Sequence, residues 1–378
     1  MKNRVYADNA ATSLMDLEAL EAMVSCIRGV YANPAQHYSP ARQAKRLLDS
    51  SREAIADCIG AHSNEIFFTS GGSESNNWAI KGSYHPGDAR HTILTSSIEH
   101  HSVLLAADSM SELGEKVLQV SPDSKGIVHP EYLMEALDDS VRLVSIMMAN
   151  NEVGSIQPIS ELCRIAHQSG ALFHTDAVQA VGHVPINVEE LGIDMLSASA
   201  HKFNGPRGFG FLYVRHGTNL KPLICGGAQQ DGMRAGTDNL PSAYSASIAL
   251  RNNCRSMKCN ADKLHGFEKR FFSILNDSGI DYIQNGSDEH IPGLISISIK
   301  GRDGEALLNR LDLMGFSVST GSACNSGNSE LSHVIRSMGV DKSYANGTVR
   351  ISFGKYNTVI EVERLANSLI RIVSEDVF

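Results

Sequence analysis

An α/β fold, with a mostly parallel sheet covered by helices on both faces and a smaller α+β unit after it, is predicted from three features of the sequence. Short aliphatic or β-branched runs alternate with segments of helical spacing through the first two-thirds of the chain, and strand–helix–strand alternation builds a parallel sheet. The turn Gly205-Pro206-Arg207-Gly208 runs straight into another aliphatic stretch, so one strand returns antiparallel. Helical character then dominates residues 242–276, and a fresh mixture of strand and helix patterns follows.

In chain order, residues 65–70, 92–96, 143–148, 172–176 and 195–199 read as buried strands, and 209–215 as the antiparallel one. Residues 130–137 and 159–167 carry helical spacing between them. Beyond the long helical region lie a strand at 293–299, a helix near 303–314 and a strand at 349–353. The expected division is a large domain over 13–255 and a small one made of 1–12 with 256–378. A chain of 378 residues that is 42% hydrophobic has enough apolar material for both cores.

Composition excludes several classes of function. The net charge of −9 argues against a general nucleic-acid coat, and Arg42, Lys45, Arg46 and Arg52 read as the solvated face of one helix. No apolar run approaches the roughly 20 residues that cross a bilayer, and the first residues lack the apolar stretch of a secretory signal. The expected compartment is the cytoplasm. The seven cysteines are scattered without a Cys-x-x-Cys pair. Neither a disulfide framework nor a metal site is expected, and most cysteines read as small core residues.

Three segments carry chemistry. Phe68-Thr-Ser-Gly-Gly-Ser-Glu ends a strand, bends at Gly71 and Gly72, and starts a helix at Ser73. Such a turn offers backbone amides and a helix dipole to an anion, although an ordinary serine cap reads the same way. Asp176 ends a strand where open α/β sheets place ligands. It could keep a pyridine nitrogen protonated or simply cap a helix. Lys202 follows a buried strand and precedes a Gly/Pro turn. There a desolvated amine suits Schiff-base chemistry, and a surface loop lysine is the plain alternative.

Together with Ser319-Thr-Gly-Ser-Ala-Cys-Asn-Ser-Gly, these segments resemble the NifS/IscS-type cysteine desulfurases, which are class V, fold-type I enzymes dependent on pyridoxal 5′-phosphate. Further matching pieces are Tyr6-Ala-Asp-Asn-Ala-Ala-Thr12, Glu99-His100, Asn150-Asn-Glu-Val-Gly154, Met233-Arg-Ala-Gly-Thr237 and Val349-Arg-Ile-Ser-Phe353. The resemblance covers nearly the whole chain and implies a seven-stranded sheet in the large domain. It implies that Lys202 links covalently to the cofactor, that Asp176 pairs with the ring nitrogen, and that His100 stacks on the ring. Gln179 and Asn151 would bond the ring oxygen region, and Gly72, Ser73, Ser199 and His201 would hold the phosphate. Thr237 would reach the phosphate of a neighbouring subunit in a homodimer. Arg350, with help from Asn151, would take the substrate carboxylate, where a planar fork suits it better than lysine.

Cys324 lies among small residues and is the implied nucleophile. It would receive sulfur from L-cysteine as a persulfide, release alanine, and pass the sulfur to an acceptor protein. Another reaction on the same cofactor, such as transamination or selenocysteine lysis, is the first alternative. A non-catalytic docking protein of the same fold is the second, although such a protein usually loses the lysine or the cysteine. No membrane partner and no direct nucleic-acid partner are expected. The tail is shorter than in IscS-type housekeeping relatives, which leaves the acceptor open.

Overall fold

The computed structural model describes residues 4–320 and 331–375. In chain order its strands are β1 (Val5–Tyr6), β2 (Ile66–Thr69), β3 (Thr92–Ser96), β4 (Lys116–Val120), β5 (Val141–Ser145), β6 (Leu172–Asp176), β7 (Met195–Ser199), β8 (Gly210–Val214), β9 (Tyr282–Asn285), β10 (Leu294–Ile299), β11 (Phe316–Ser317) and β12 (Thr348–Ser352). A seven-stranded sheet has the order β2-β8-β7-β6-β5-β3-β4. Only β8 runs against the others, pairing antiparallel with β2 and β7, while β7, β6, β5, β3 and β4 are parallel neighbours.

The inner strands explain the sequence pattern. Every residue of β3, β5 and β7 is buried, because helices cover both faces and leave no wet side for alternation. Strand β4 sits at the sheet edge and is half-exposed, so its Lys-Val-Leu-Gln-Val run gives no continuous apolar signal, and the sequence reading passed over it. The strand expected at 143–148 starts earlier, at Val141. Beyond Ser145 the pairing persists as Ile146 and Met148 donate their amides to the carbonyls of His174 and Asp176, which carries the chain to the site.

A second sheet, β12-β10-β9, is antiparallel, and β1 pairs in parallel with β11. Val5 and Ala7 therefore join the apolar cluster built by Leu264, Phe271, Ile297, Val349 and Leu369. The Leu240–Asp277 helix runs through both cores: Leu240 to Leu250 pack under the large sheet and Leu264 to Leu275 under the small one. A further cluster seats Val334, Ile335 and Met338 on Ile98, Met147 and Val153. Among the described residues, no helix is long and apolar enough to cross a membrane.

Two expectations need correction. Arg52 is not on a solvated face: its guanidinium lies over the Phe68 ring at 4.5 Å and donates to the carbonyl of Ile66 and to Gln230 Oε1 at 2.7 Å. Its neighbour on the helix, Ser51, is turned fully inward, and the Ser39–Asp57 helix packs on β2 along that side. The core reading of the cysteines fits four of the six among the described residues and fails at Cys225 and Cys259. Cys26 and Cys163 are buried, Cys58 and Cys254 partly so, and Cys225 and Cys259 exposed. Cys324 lies outside the described residues.

Candidate active site

The parallel strands β3, β5, β6 and β7 deliver their carboxyl ends to one side of the sheet, the place where this architecture puts ligands. A cavity of about 630 Å³ opens there, lined by Ser73, His100, Asn151, Asp176, Lys202 and Arg350 among others. Gly72, Gln179, Ser199 and His201 also line it.

One end is built for an anion. The Gly72–Gly82 helix starts at the cavity with no side-chain cap on its first amides, leaving donors and the positive dipole end for a ligand. Gly71 adopts φ +148°, a conformation open essentially to glycine, and a Cβ there would stand 3.4 Å from Ser199 Oγ, filling the cradle. At Gly72 a Cβ would come within 2.5 Å of Val178 Cγ2. His201 closes this end, its Nδ1 bonded to Thr12 Oγ1 at 3.1 Å. Burial, with Lys202 and Arg207 nearby, pushes its pKa down to about 4, so the ring is neutral. Glu74 is a carboxylate in the first turn, but Arg234 grips it through both oxygens at 2.8 and 3.0 Å.

Asp176 sits at the other end, 5% exposed. Its Oδ1 accepts from the Val178 amide at 2.9 Å and its Oδ2 from Asn76 Nδ2 at 2.7 Å. No lysine or arginine side chain is hydrogen-bonded to it in the described residues, so this buried carboxylate is available to a cationic group. Asn76 Nδ2 also donates to Ser102 Oγ at 2.8 Å, and Ser102 Oγ lies 2.8 Å from His100 Nδ1. The Ser102 amide donates to the same Nδ1 at 3.1 Å, which assigns the ring proton to Nε2. Burial lowers the pKa of His100 against the opposing pull of Asp176, so the imidazole is neutral, with an Nε2–H donor.

Lys202 ends the short turn after β7, and its Nζ donates to the carbonyls of Ala10 and Ala11, the latter at 3.0 Å. Gln179 Nε2 donates to the same Ala10 carbonyl at 2.9 Å. Arg350, on β12, is 5% exposed. Its guanidinium donates to the Asn151 carbonyl at 2.8 Å and pairs with Asp8 at 2.8 Å, while its Nε is buried without a partner. Arg350 is therefore held in an ion pair and also lines the cavity.

Thr237 is exposed and is not part of this cavity's lining. Cys324 lies outside the described residues, but the chain on either side reaches the site: Ser319 exchanges both backbone bonds with Arg350, and His333 donates from Nε2 to the Glu99 carbonyl at 3.0 Å. Sequence reasoning missed Asn76, Ser102 and the Ala10 and Ala11 carbonyls. Asn76 falls one turn after Gly72 on the same helix, a polar residue facing inward, which is the signal it offered.

The donor set suits pyridoxal 5′-phosphate: amides and a glycine cradle for the phosphate, a buried carboxylate for the ring nitrogen, a neutral imidazole beside the ring, and an amine for the aldehyde. Residues 5–365 match the aminotransferase class-V family. The chain is 41% identical over 377 residues to cysteine desulfurase IscS of Dictyoglomus turgidum, covering 99% of this chain and 96% of that one. It is 40% identical to cysteine desulfurase IscS of Methanosarcina thermophila, covering 98% and 92%. A solved structure described as a NifS-like protein superposes with a TM-score of 0.93 at 37% identity, covering 98% of this chain and all of that one.

Proposed function

The chain belongs to the class-V aminotransferase family, among its cysteine desulfurases, and from that premise we propose that it moves the sulfur of L-cysteine to Cys324 and releases L-alanine. The observation that carries the residue roles is the gathering of Asp176, His100, Lys202, Arg350 and the Gly72–Gly82 helix amides around one cavity.

Bound there, pyridoxal 5′-phosphate supplies an electron sink for the pair released at the substrate α-carbon. The first amides of the Gly72–Gly82 helix, with Ser73, Ser199 and His201, hold the phosphate. Asp176 holds a proton at the ring nitrogen, and Asn76 fixes the carboxylate for that role. Lys202 Nζ, led to the cavity by the Ala10 and Ala11 carbonyls, would hold the cofactor and move the α-proton. His100 keeps its Nε2–H toward the ring. Asn151 and Gln179 orient the ring oxygen side. Arg350 offers its remaining N–H groups to the substrate carboxylate. The Cys324 thiolate takes the substrate sulfur, so one carbon–sulfur bond breaks, one sulfur–sulfur bond forms, and the products are alanine and a persulfide.

The working unit in this proposal is a homodimer. Leu17, Leu20, Val24 and Ile27 expose one apolar stripe of the Leu17–Gly29 helix, with Tyr31 88% exposed beside it, which suits burial against a second copy. Thr237 then serves the neighbour's phosphate. The cytoplasm is the proposed compartment, since the six cysteines among the described residues are all free. A protein thiol is the proposed sulfur acceptor.

The test is direct. Cofactor-loaded protein given L-cysteine and a thiol reductant should yield alanine and sulfide in equal amounts without any 2-oxo acid. Cys324→Ala should still change the cofactor absorbance on cysteine addition but form neither product. Alanine formation that depends on a 2-oxo acid, or full sulfide yield from Cys324→Ala, overturns the reading.

A further inference from the structure

Away from the cavity, three potential ligands converge. His265 and Glu268 stand one turn apart on the Leu240–Asp277 helix, the spacing that places two side chains on one face, and His290 comes from the connection between β9 and β10. His265 Nδ1 lies 2.9 Å from Glu268 Oε2, and His290 Nε2 lies 3.3 Å from the same oxygen. All three ligand atoms fall within 4.8 Å of one another. Ligands about 2.0–2.1 Å from a tetrahedral ion stand about 3.3 Å apart, and each histidine nitrogen already lies near that distance from the Glu268 oxygen.

Outer contacts hold the ligands in this pose. Glu268 Oε1 accepts the Gly293 amide, which commits Oε2 to the histidines. His290 Nδ1 donates to the Asp288 carbonyl at 2.9 Å, which turns Nε2 toward the carboxylate. This is the way metal-ligating imidazoles are oriented. Glu268 and His290 side chains are 8% and 13% exposed, and His265 is 44% exposed, which leaves one side open to water.

We propose that His265 Nδ1, Glu268 Oε2 and His290 Nε2 form a binding site for a divalent ion of the zinc class, with solvent in the remaining position. Two imidazoles and one carboxylate suit zinc and its transition-metal neighbours, whereas calcium and magnesium prefer an all-oxygen shell. The sequence search for metals looked to cysteine pairs and missed this set, because His290 is distant in sequence from the helix pair. The ion would act as a staple. Ser155 bridges to His290, and the Ile291 amide bonds the Gly154 carbonyl, so the site ties the long helix to the segment that carries Asn151.

The experiment uses cofactor-loaded full-length protein, stripped with a chelator and alkylated at its thiols, dialysed against zinc chloride and analysed for bound metal. One zinc per chain is expected, with a raised melting temperature, and no comparable retention of calcium. His290→Ala and His265→Ala should each weaken retention about tenfold or more and remove the thermal shift. His265→Ala changes a helix-surface residue and keeps the test sound if His290→Ala fails to fold. Failure of the wild type to retain zinc, equal retention by His265→Ala, or equal retention of calcium overturns the site.

Discussion

Glu99 is fully buried, with Oε1 accepting from Ser96 Oγ at 2.5 Å and from the Met147 amide at 2.8 Å. Its Oε2 has no partner. Burial, the dominant cause, raises its pKa to about 8, so at neutral pH it is a neutral acid. An acid whose folded pKa lies above its unfolded value is stabilising only while protonated. Between about pH 4.5 and 8 the unfolded chain holds fewer protons at this group, so stability falls as pH rises. Glu99→Gln, which mimics the neutral acid, should lose less stability across that window, by on the order of a few kcal/mol, as read from urea denaturation at pH 5 and pH 8. The Glu99-His100 pair was legible as a motif, but nothing in the letters marks Glu99 as buried. That depends on Met147 arriving beside it from the end of β5, 48 positions away in the chain. Asn76 was hidden for the same reason, since its contact with Asp176 spans a hundred positions.

At the scale of the element, the glycine turn before the Gly72–Gly82 helix leaves no room for a side chain at Gly72. Gly72→Ala must displace either Val178 or the first helical turn, given the 2.5 Å approach. The prediction is a folded protein whose cofactor affinity falls about tenfold or more, measured by absorbance during dialysis, because the donors move while the core does not. The Ser332 cap gives a second prediction. Its Oγ accepts from the Val334 amide at 3.1 Å and donates to Glu152 Oε2, and burial raises the Glu152 pKa to about 7. Ser332→Ala should cost about 1–2 kcal/mol in thermal or denaturant unfolding. A strand buried along its whole length, such as β2 with Ile66-Phe-Phe, announced itself in sequence as an apolar run. Strand β4 did not, because an edge strand carries lysine and glutamine in its place, and the two-residue strands β1 and β11 are too short for any period to show.

Across the whole molecule, Lys355 joins distant parts of the chain. Its Nζ lies 3.0 Å from Asp16 Oδ2 and 2.9 Å from Asn253 Oδ1, with both members of the ion pair less than one-sixth exposed. Asp16 also caps the Leu17–Gly29 helix. Burial alone would raise its carboxyl, but Lys355 and the cap amides more than offset this and hold it below the usual range. Lys355→Met leaves that carboxylate buried without its cation and should cost about 2–4 kcal/mol at neutral pH. Because the folded pKa is depressed, the pair's contribution is present above about pH 4 and lost below it, so the gap between wild type and Lys355→Met should narrow in acid. The double-core arrangement was readable from the return of strand patterns after the long helix. The expected division already grouped residues 1–12 with the smaller unit, but the parallel pairing of β1 with β11 that carries them there was not legible, since it joins opposite ends of the chain.

That route constrains the order of assembly during synthesis. Val5 and Tyr6 find their ladder partners only at Phe316 and Ser317, and the same leading segment supplies the Ala10 and Ala11 carbonyls to Lys202. A ribosome must therefore translate most of the message before the earliest residues have anywhere to settle. Until then β1 has no partner and Arg350 has not joined the cavity lining, so a half-made chain cannot complete the pocket.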